Sequence, residues 1–258
     1  MSFVSIPNSV VGKLLEPKRN PASVSVFLEC ARRMLTTGGV VYETGKLVDE
    51  DDEKDFLQEF NVRPYSNLIP TQALSHIAKD WRQRLEFMQT WNWLSLATIP
   101  GASKSVLVSM PILDCLAGDF TKIPTEGVKK MNLENVRTKT YDNATKLLMF
   151  ICDGMNTSDF GYNHKAEDGL TKASENVSLG KHEFAFKRTS ASGKIGLSAQ
   201  QTRTAFDKLV ELGVVQSRNI NDANPRLGKL VKVNFEFADK FKDFSLEQDD
   251  DDGAPDWF

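Results

Sequence analysis

Cysteine is scarce in this chain. Cys30, Cys115 and Cys152 are the three among 258 residues, odd in number and far apart. That excludes a disulfide framework and makes a reduced, cytoplasmic compartment the expectation. Long apolar runs are also missing: the strongest, Leu147 to Cys152, is six residues, against the ~20 a bilayer span needs. No basic stretch followed by an apolar core opens the sequence, so no secretory signal is read. Histidine is limited to His76, His164 and His182, none at zinc-ligand spacing from a cysteine. A Gly-x-x-x-x-Gly-Lys-Ser/Thr phosphate loop is absent, which argues against an ATPase or helicase. No catalytic residue, cofactor or metal is therefore expected. With 40% apolar and 26% charged residues, the chain has enough apolar material for a core and is not a disordered polymer.

The net charge of −3 conceals an uneven distribution. Glu247 to Phe258 holds six carboxylates and no cation, and Asp49 to Glu59 holds seven carboxylates against Lys54. Lys172 to Lys242 holds thirteen Lys and Arg against seven Asp and Glu. A basic module flanked by acidic segments can bind a polyanion despite an acidic total.

Residues 1–21, with Pro7, Pro17 and Pro21, read as an extended N-terminal arm. Apolar spacing then predicts a helix over Ala22–Leu35 ending at Gly38-Gly39, and a short strand at Val40–Glu43. The acidic block reads as a solvated loop. Thr71 reads as a helix cap, with one helix or two abutting ones after it, through Trp81, Leu85 and Met88. The apolar runs Trp93–Ile99 and Val106–Ile112 read as a hairpin. The tryptophans at 81, 91 and 93 fit a core better than a base-stacking platform. The second half repeats this order more clearly. It has a helix over Thr138–Cys152, a long loop over Asp153–Gly180, a strand at His182–Phe186 and a short helix at Lys187–Lys194. Then follow a Gly196-Leu197-Ser198 turn, a helix to Leu212, and strands Val214–Arg218 and Leu230–Phe237. Ser198 and Gln201 form a capping box, Gly213 supplies the stop, and Thr202, Ala205, Phe206 and Leu209 make the buried stripe.

This is the element order of a winged helix-turn-helix. The expected fold class is α+β, with two winged helices in tandem: a weaker one over 22–118, a better-defined DNA-binding one over 119–244, and an acidic tail over 245–258. A generic α+β domain is the alternative. On the helix after the turn, Gln200, Gln201 and Arg203 are the expected base readers, since Gln suits adenine and Arg suits guanine. Thr204 shares their face. Lys194, Lys208, Arg218, Arg226, Lys229 and Lys232 are the expected phosphate contacts.

The stretch Ile195-Gly196-Leu197-Ser198-Ala199-Gln200-Gln201-Thr202-Arg203-Thr204-Ala205-Phe206-Asp207-Lys208-Leu209, with Gly213-Val214-Val215 behind it, resembles the winged helix of phage replisome organisers and DnaD-type primosome proteins. The resemblance covers about 100 residues and is shared with many bacterial transcription regulators. A tandem arrangement is similar to plasmid replication initiators of the RepA/RepE kind. The long 153–180 segment and the tail depart from those families. The tail, Asp249-Asp250-Asp251-Asp252-Gly253-Ala254-Pro255-Asp256-Trp257-Phe258, resembles the tip of single-stranded-DNA-binding proteins. That likeness implies a peptide ligand in which an aromatic fills a pocket and carboxylates meet cations at its rim. Together these imply a DNA-binding protein of replication, acting on duplex with single strands still open, which recruits replication proteins through its tail. A single-stranded-DNA-binding protein, a transcription regulator and a protein-only adaptor are the rivals. A homodimer is left open.

Overall fold

The computed structural model describes residues 3–37, 39–49, 52–97, 104–114, 119–133, 139–168 and 170–236, with backbone only for 39–61 and 133. It is a mixed α+β structure whose helices are separated by small antiparallel sheets. One order of elements occurs twice. The first copy runs β1 (Phe3–Pro7), α1 (Asn8–Leu15), α2 (Pro21–Arg33), the hairpin β2 (Gly39–Asp49) and β3 (Asp52–Val62), and β4 (Ser66–Pro70). It continues through α3 (Thr71–Ile77), α4 (Trp81–Gln89), β5 (Ser95–Ala97) and β6 (Ser105–Ser109). The second copy runs β7 (Phe120–Pro124), α5 (Thr125–Leu133), α6 (Lys139–Gly154), the hairpin β8 (Tyr162–Glu167) and β9 (Ser174–Leu179), and β10 (Glu183–Phe186). It closes with α7 (Arg188–Ile195), α8 (Ala199–Glu211), β11 (Val215–Asn219) and β12 (Lys229–Val233). The sheet order repeats as well, β4-β6-β5 and β10-β12-β11, with the last strand in the middle each time.

The copies meet about a local pseudo-two-fold axis. Strands β1 (Phe-Val-Ser-Ile-Pro) and β7 (Phe-Thr-Lys-Ile-Pro) pair antiparallel, and at the centre of the register Ser5 faces Lys122. Ser25 of α2 donates from Oγ to Asp142 Oδ1 of α6 at 2.8 Å across 117 residues, the same interval that separates Ser5 from Lys122. Each pair is thus one position of the repeat meeting itself. The helices exchange partners to match: α1 packs on α6 and α5 on α2. One continuous core results, running from Val4 and Ile6 through Phe27 and Leu147 to Phe206 and Val233.

At that interface two charged side chains are buried. Glu29 is 1% exposed; its carboxylate accepts from Arg32 (2.6 and 2.7 Å), from Arg33 Nε (2.6 Å) and from Asn132 Nδ2 (2.6 Å), the last on α5 of the other copy. Lys146 is fully buried and donates from Nζ to Glu16 O (2.9 Å) and Arg19 O (2.8 Å) at the end of α1. Burial, reinforced by the nearby Arg19 charge, pushes the Lys146 ammonium down to about 8.

Several expectations are corrected. Residues 1–21 are not an extended arm: β1 and α1 bury Val4, Ile6, Val10, Val11 and Leu14. Of the prolines that prompted that reading, Pro7 ends β1 and precedes α1, and Pro21 occupies the start of α2, where its missing N–H costs nothing. The 153–180 segment is not a long loop, because β8 and β9 pair along their full lengths. Most of the acidic block lies on β3, paired with β2, rather than in a loop. Thr71 begins α3 but does not cap it; its hydroxyl bonds Lys104 O. The expected helices at 22–35, 138–152 and 187–194 are present within a few residues, and the Thr71 region holds two helices. The turn at 98–103 and residues 237–258 lie outside the described residues.

Candidate nucleic-acid interface

Helix α8 is set by its two ends. Gly196 closes α7 at φ 70°, a left-handed conformation that an L side chain resists. The next turn carries Ser198, whose Oγ accepts from Gln201 N (3.1 Å) while Ser198 N donates to Gln201 Oε1 (2.8 Å). This reciprocal box satisfies two amide groups that the first turn would otherwise leave bare. Gly213 ends the element at φ 66°, and Val214 N bonds back to Leu209 O. Thr202, Ala205, Phe206 and Leu209 are the buried residues of the helix, as the spacing predicts. Phe206 stacks on Phe186 of β10 with centroids 4.7 Å apart, which locks the helix onto its sheet by about 0.5–1.5 kcal/mol beyond area burial.

The opposite face presents Gln200, Arg203, Thr204 and Asp207 to solvent. Arg203 Nε lies 3.8 Å from Asp207 Oδ2 with both groups exposed, a pairing weak enough for a polyanion to displace. The Thr204 hydroxyl donates to Gln200 O (3.1 Å) and Gln201 O (3.2 Å), so toward a ligand it offers its methyl and its lone pairs. Gln201 commits its amide oxygen to the second half of the capping box, which leaves its amide NH2 as the group to face a ligand. Lys208 leaves the set: its Nζ bonds Glu211 Oε2 and stands over the Tyr141 ring at 5.5 Å, on the side that packs against α6.

Lys194 is exposed at the end of α7, its Nζ 5.9 Å from the Phe150 ring. Arg218 is exposed on β11 and Arg226 at the tip of the β11–β12 connection. Lys229 is half-buried with Nζ 3.4 Å from Asn219 Oδ1, and Lys232 is half-buried on β12 between Glu183 and Gln216. The tip is braced from behind. Asn221 donates to Glu175 Oε2 of β9 (2.8 Å) and accepts from Ala223 N and Asn224 N. Sequence reasoning missed this brace because it took the β8–β9 segment for a loop. Arg188, exposed at the start of α7, is a further cation it passed over.

The first copy offers a matching helix. On α4, Trp81, Leu85 and Met88 are buried and Arg82, Gln83, Glu86 and Gln89 are exposed, while Arg84 is tied to Asp80 and to Ser23 Oγ. Trp93 packs edge-on against Phe27, and Trp91 lies beneath Arg19 at 4.4 Å, so these indoles belong to the interior and its edge. No group of three His, Cys, Asp or Glu able to hold a metal occurs among the described residues, and none of their helices is long and apolar enough to cross a membrane. Cys30 and Cys152 are buried, and burial raises both thiols well above the usual range, away from reactivity.

Comparison of the chain with protein-family models, with curated proteins and with solved structures returns no match.

Proposed function

We propose that the chain is a tandem winged-helix DNA-binding protein that acts in replication, as an initiator or replisome organiser. The observation that carries this reading is the repeated element order. In each copy a helix, a strand, two helices joined by a tight turn, and two closing strands build a three-stranded sheet with the last strand in the middle. That is how a helix-turn-helix is held over a sheet with its final hairpin as a wing. The second helix of each pair, α8 and α4, carries a Gln/Arg face of the kind that reads base edges in a major groove. Gln200 and Arg203 are the base readers, Lys194, Arg218 and Arg226 the phosphate contacts. Copies related by a pseudo-dyad suit two inverted half-sites roughly 34–36 Å apart, the arrangement helix-turn-helix homodimers read. A single chain then supplies what those proteins need two for.

In this reading the acidic tail, with Asp249, Asp250, Asp251, Asp252, Asp256, Trp257 and Phe258, recruits a replication partner. The chemistry that supports it is a pair of aromatics behind a run of carboxylates, which a purely solubilising tail has no use for. A single-stranded-DNA-binding protein is the weaker alternative, because no sheet among the described residues exceeds three strands and base stacking on a closed barrel needs more.

The test is fluorescence anisotropy on matched single- and double-stranded DNA across a salt series. Duplex preference, a steep fall of affinity with salt and loss of sequence preference in Arg203→Ala are expected. Equal or tighter binding to single strands, unchanged by Arg203→Ala, overturns the proposal.

A further inference from the structure

The second copy carries a groove that the DNA-reading face does not use. It has a volume of about 510 Å³ and lies where the end of α6 meets β8, β9 and β10, lined by Met155, Phe160, Tyr162, Leu179 and Phe184. Its rim is unusually apolar for open surface: Phe160 is 84% exposed and Tyr162 61%. Two large aromatics left in water beside a concave apolar wall mark a surface that something covers.

The chain's own path indicates the occupant. The described residues end at Glu236, one residue after Phe235, whose ring lies 4.4 Å from that of His182. His182 N bonds Asn156 O, and the Asn156 side chain donates to Phe160 O, Leu179 O and Gly180 O on the groove wall. The chain therefore leaves the fold beside the groove. Residues 237–256 separate that exit from Trp257, and at roughly 3.3 Å per residue they reach up to about 65 Å, ample to return. Charge favours the return. Burial, with the nearby charges of Lys181, Lys122 and Lys232 and against that of Glu236, holds the His182 imidazole below the ordinary range; Lys181 is paired with Asp159 where both groups are exposed, a pairing that a run of carboxylates can displace. The segment beyond carries six carboxylates and no cation between Glu247 and Phe258.

We propose that Trp257 and Phe258 of the same chain dock in this groove, with the Asp249–Asp252 run held against the Lys122, Lys181 and Lys232 cluster. The inference does not depend on DNA binding. It does bear on the tail's other proposed role, because a replication partner that takes the same aromatics must first draw them out of the groove. The tether makes docking intramolecular, so its occupancy is independent of protein concentration.

The experiment labels the full chain with 5-fluorotryptophan and follows its fluorine resonances in the presence of a soluble gadolinium chelate. Trp257→Phe identifies the relevant signal among the four. The rim variant Phe160→Ser/Tyr162→Ser changes exposed side chains only, so the fold survives, and unchanged signals from Trp81, Trp91 and Trp93 verify it. Several-fold weaker broadening of the Trp257 signal in the parent chain than in the rim variant, the same at low and high protein concentration, is expected. A Trp257 signal fully broadened in both chains overturns the inference, as does protection that the rim variant leaves intact. Protection that grows with concentration also overturns it, in favour of a second copy as the occupant.

Discussion

Replacing Gly196 by Ala tests whether the turn before α8 is held as tightly as its contacts imply. The residue sits at φ 70°, where an L side chain costs about 1–2 kcal/mol. A Cβ there would overlap Pro17 O and stand 2.6 Å from Pro17 Cα. Both are backbone atoms, and the loop that carries them is pinned from behind, because Lys146 Nζ holds Glu16 O and Arg19 O on either side. Relief requires moving the 16–20 loop off the α7–α8 turn or bending the turn away from the loop. Overpacking of this kind adds a further ~1–3 kcal/mol, so a loss of about 2–5 kcal/mol is expected. Gly193 is the control: it lies inside α7, where an added methyl group would meet nothing within 4 Å, and Ala there gains about 0.5–1 kcal/mol of helix stability. Urea unfolding of both variants at constant slope gives the numbers. A Gly196→Ala loss below about 1 kcal/mol would refute the tight contact between the first copy's loop and the second copy's turn.

The remaining predictions concern the cap, the buried ions and the reading face. Ser198→Ala removes one arm of the capping box and lowers stability by about 1 kcal/mol, measurable by urea unfolding. Glu29→Ala leaves the half-buried Arg32 and Arg33 without their shared carboxylate and costs about 3–5 kcal/mol; a loss under 1 kcal/mol would show that the two guanidinium groups turn to solvent instead. Lys146 is protonated in the unfolded chain up to about 10.4 but only to about 8 in the fold. The unfolded state therefore binds more protons between those values, and stability relative to Lys146→Met rises with pH across that window by at most about 3 kcal/mol. On DNA, Arg226→Ala weakens binding evenly across sequences and lowers the salt slope by about one, while Arg203→Ala relaxes preference at one base position at a cost of about 1–3 kcal/mol.

How much of this was legible depended on whether the signal was local. The α8 helix was readable in full because a capping box, a left-handed stop and a buried stripe all lie within sixteen residues of one another, Ser198 to Gly213. The roles of Lys208 and Gln201 turn on partners that the sequence does not show. A half-buried lysine over Tyr141 has the same sequence spacing as a solvent-facing one. The β8–β9 hairpin was missed because its strands bury few residues, Ala166 and Leu179 among them, so alternation of apolar and polar residues is faint. In residues 1–21 the three prolines suggest an extended arm, although Pro at the start of a helix favours it. The Phe-x-x-Ile-Pro recurrence at Phe3 and Phe120 was present in the sequence, but only strand pairing reveals that the two copies of it touch.

That self-contact also shows why the chain pairs unlike halves. On the pseudo-dyad itself Ser5 faces its equivalent Lys122 and Ser25 faces its equivalent Asp142, so a half meeting a second copy of itself would place identical side chains together at these two positions. For the second half this puts Asp142 against Asp142 at the spacing where Ser25 now donates a 2.8 Å hydrogen bond, and Lys122 against Lys122 where Ser5 now stands. Like charges in contact cost several kcal/mol, and two carboxylates offer no donor between them. The buried ions diverge in the same sense. Glu29 and Lys146 occupy equivalent positions of α2 and α6, yet one takes donors from Asn132 of α5 and the other gives to carbonyls after α1. Swapping partners would leave Glu29 facing the carbonyls and Lys146 facing an amide donor. Pairing of the first half with the second satisfies both, which favours contact between unlike halves over self-pairing of either half.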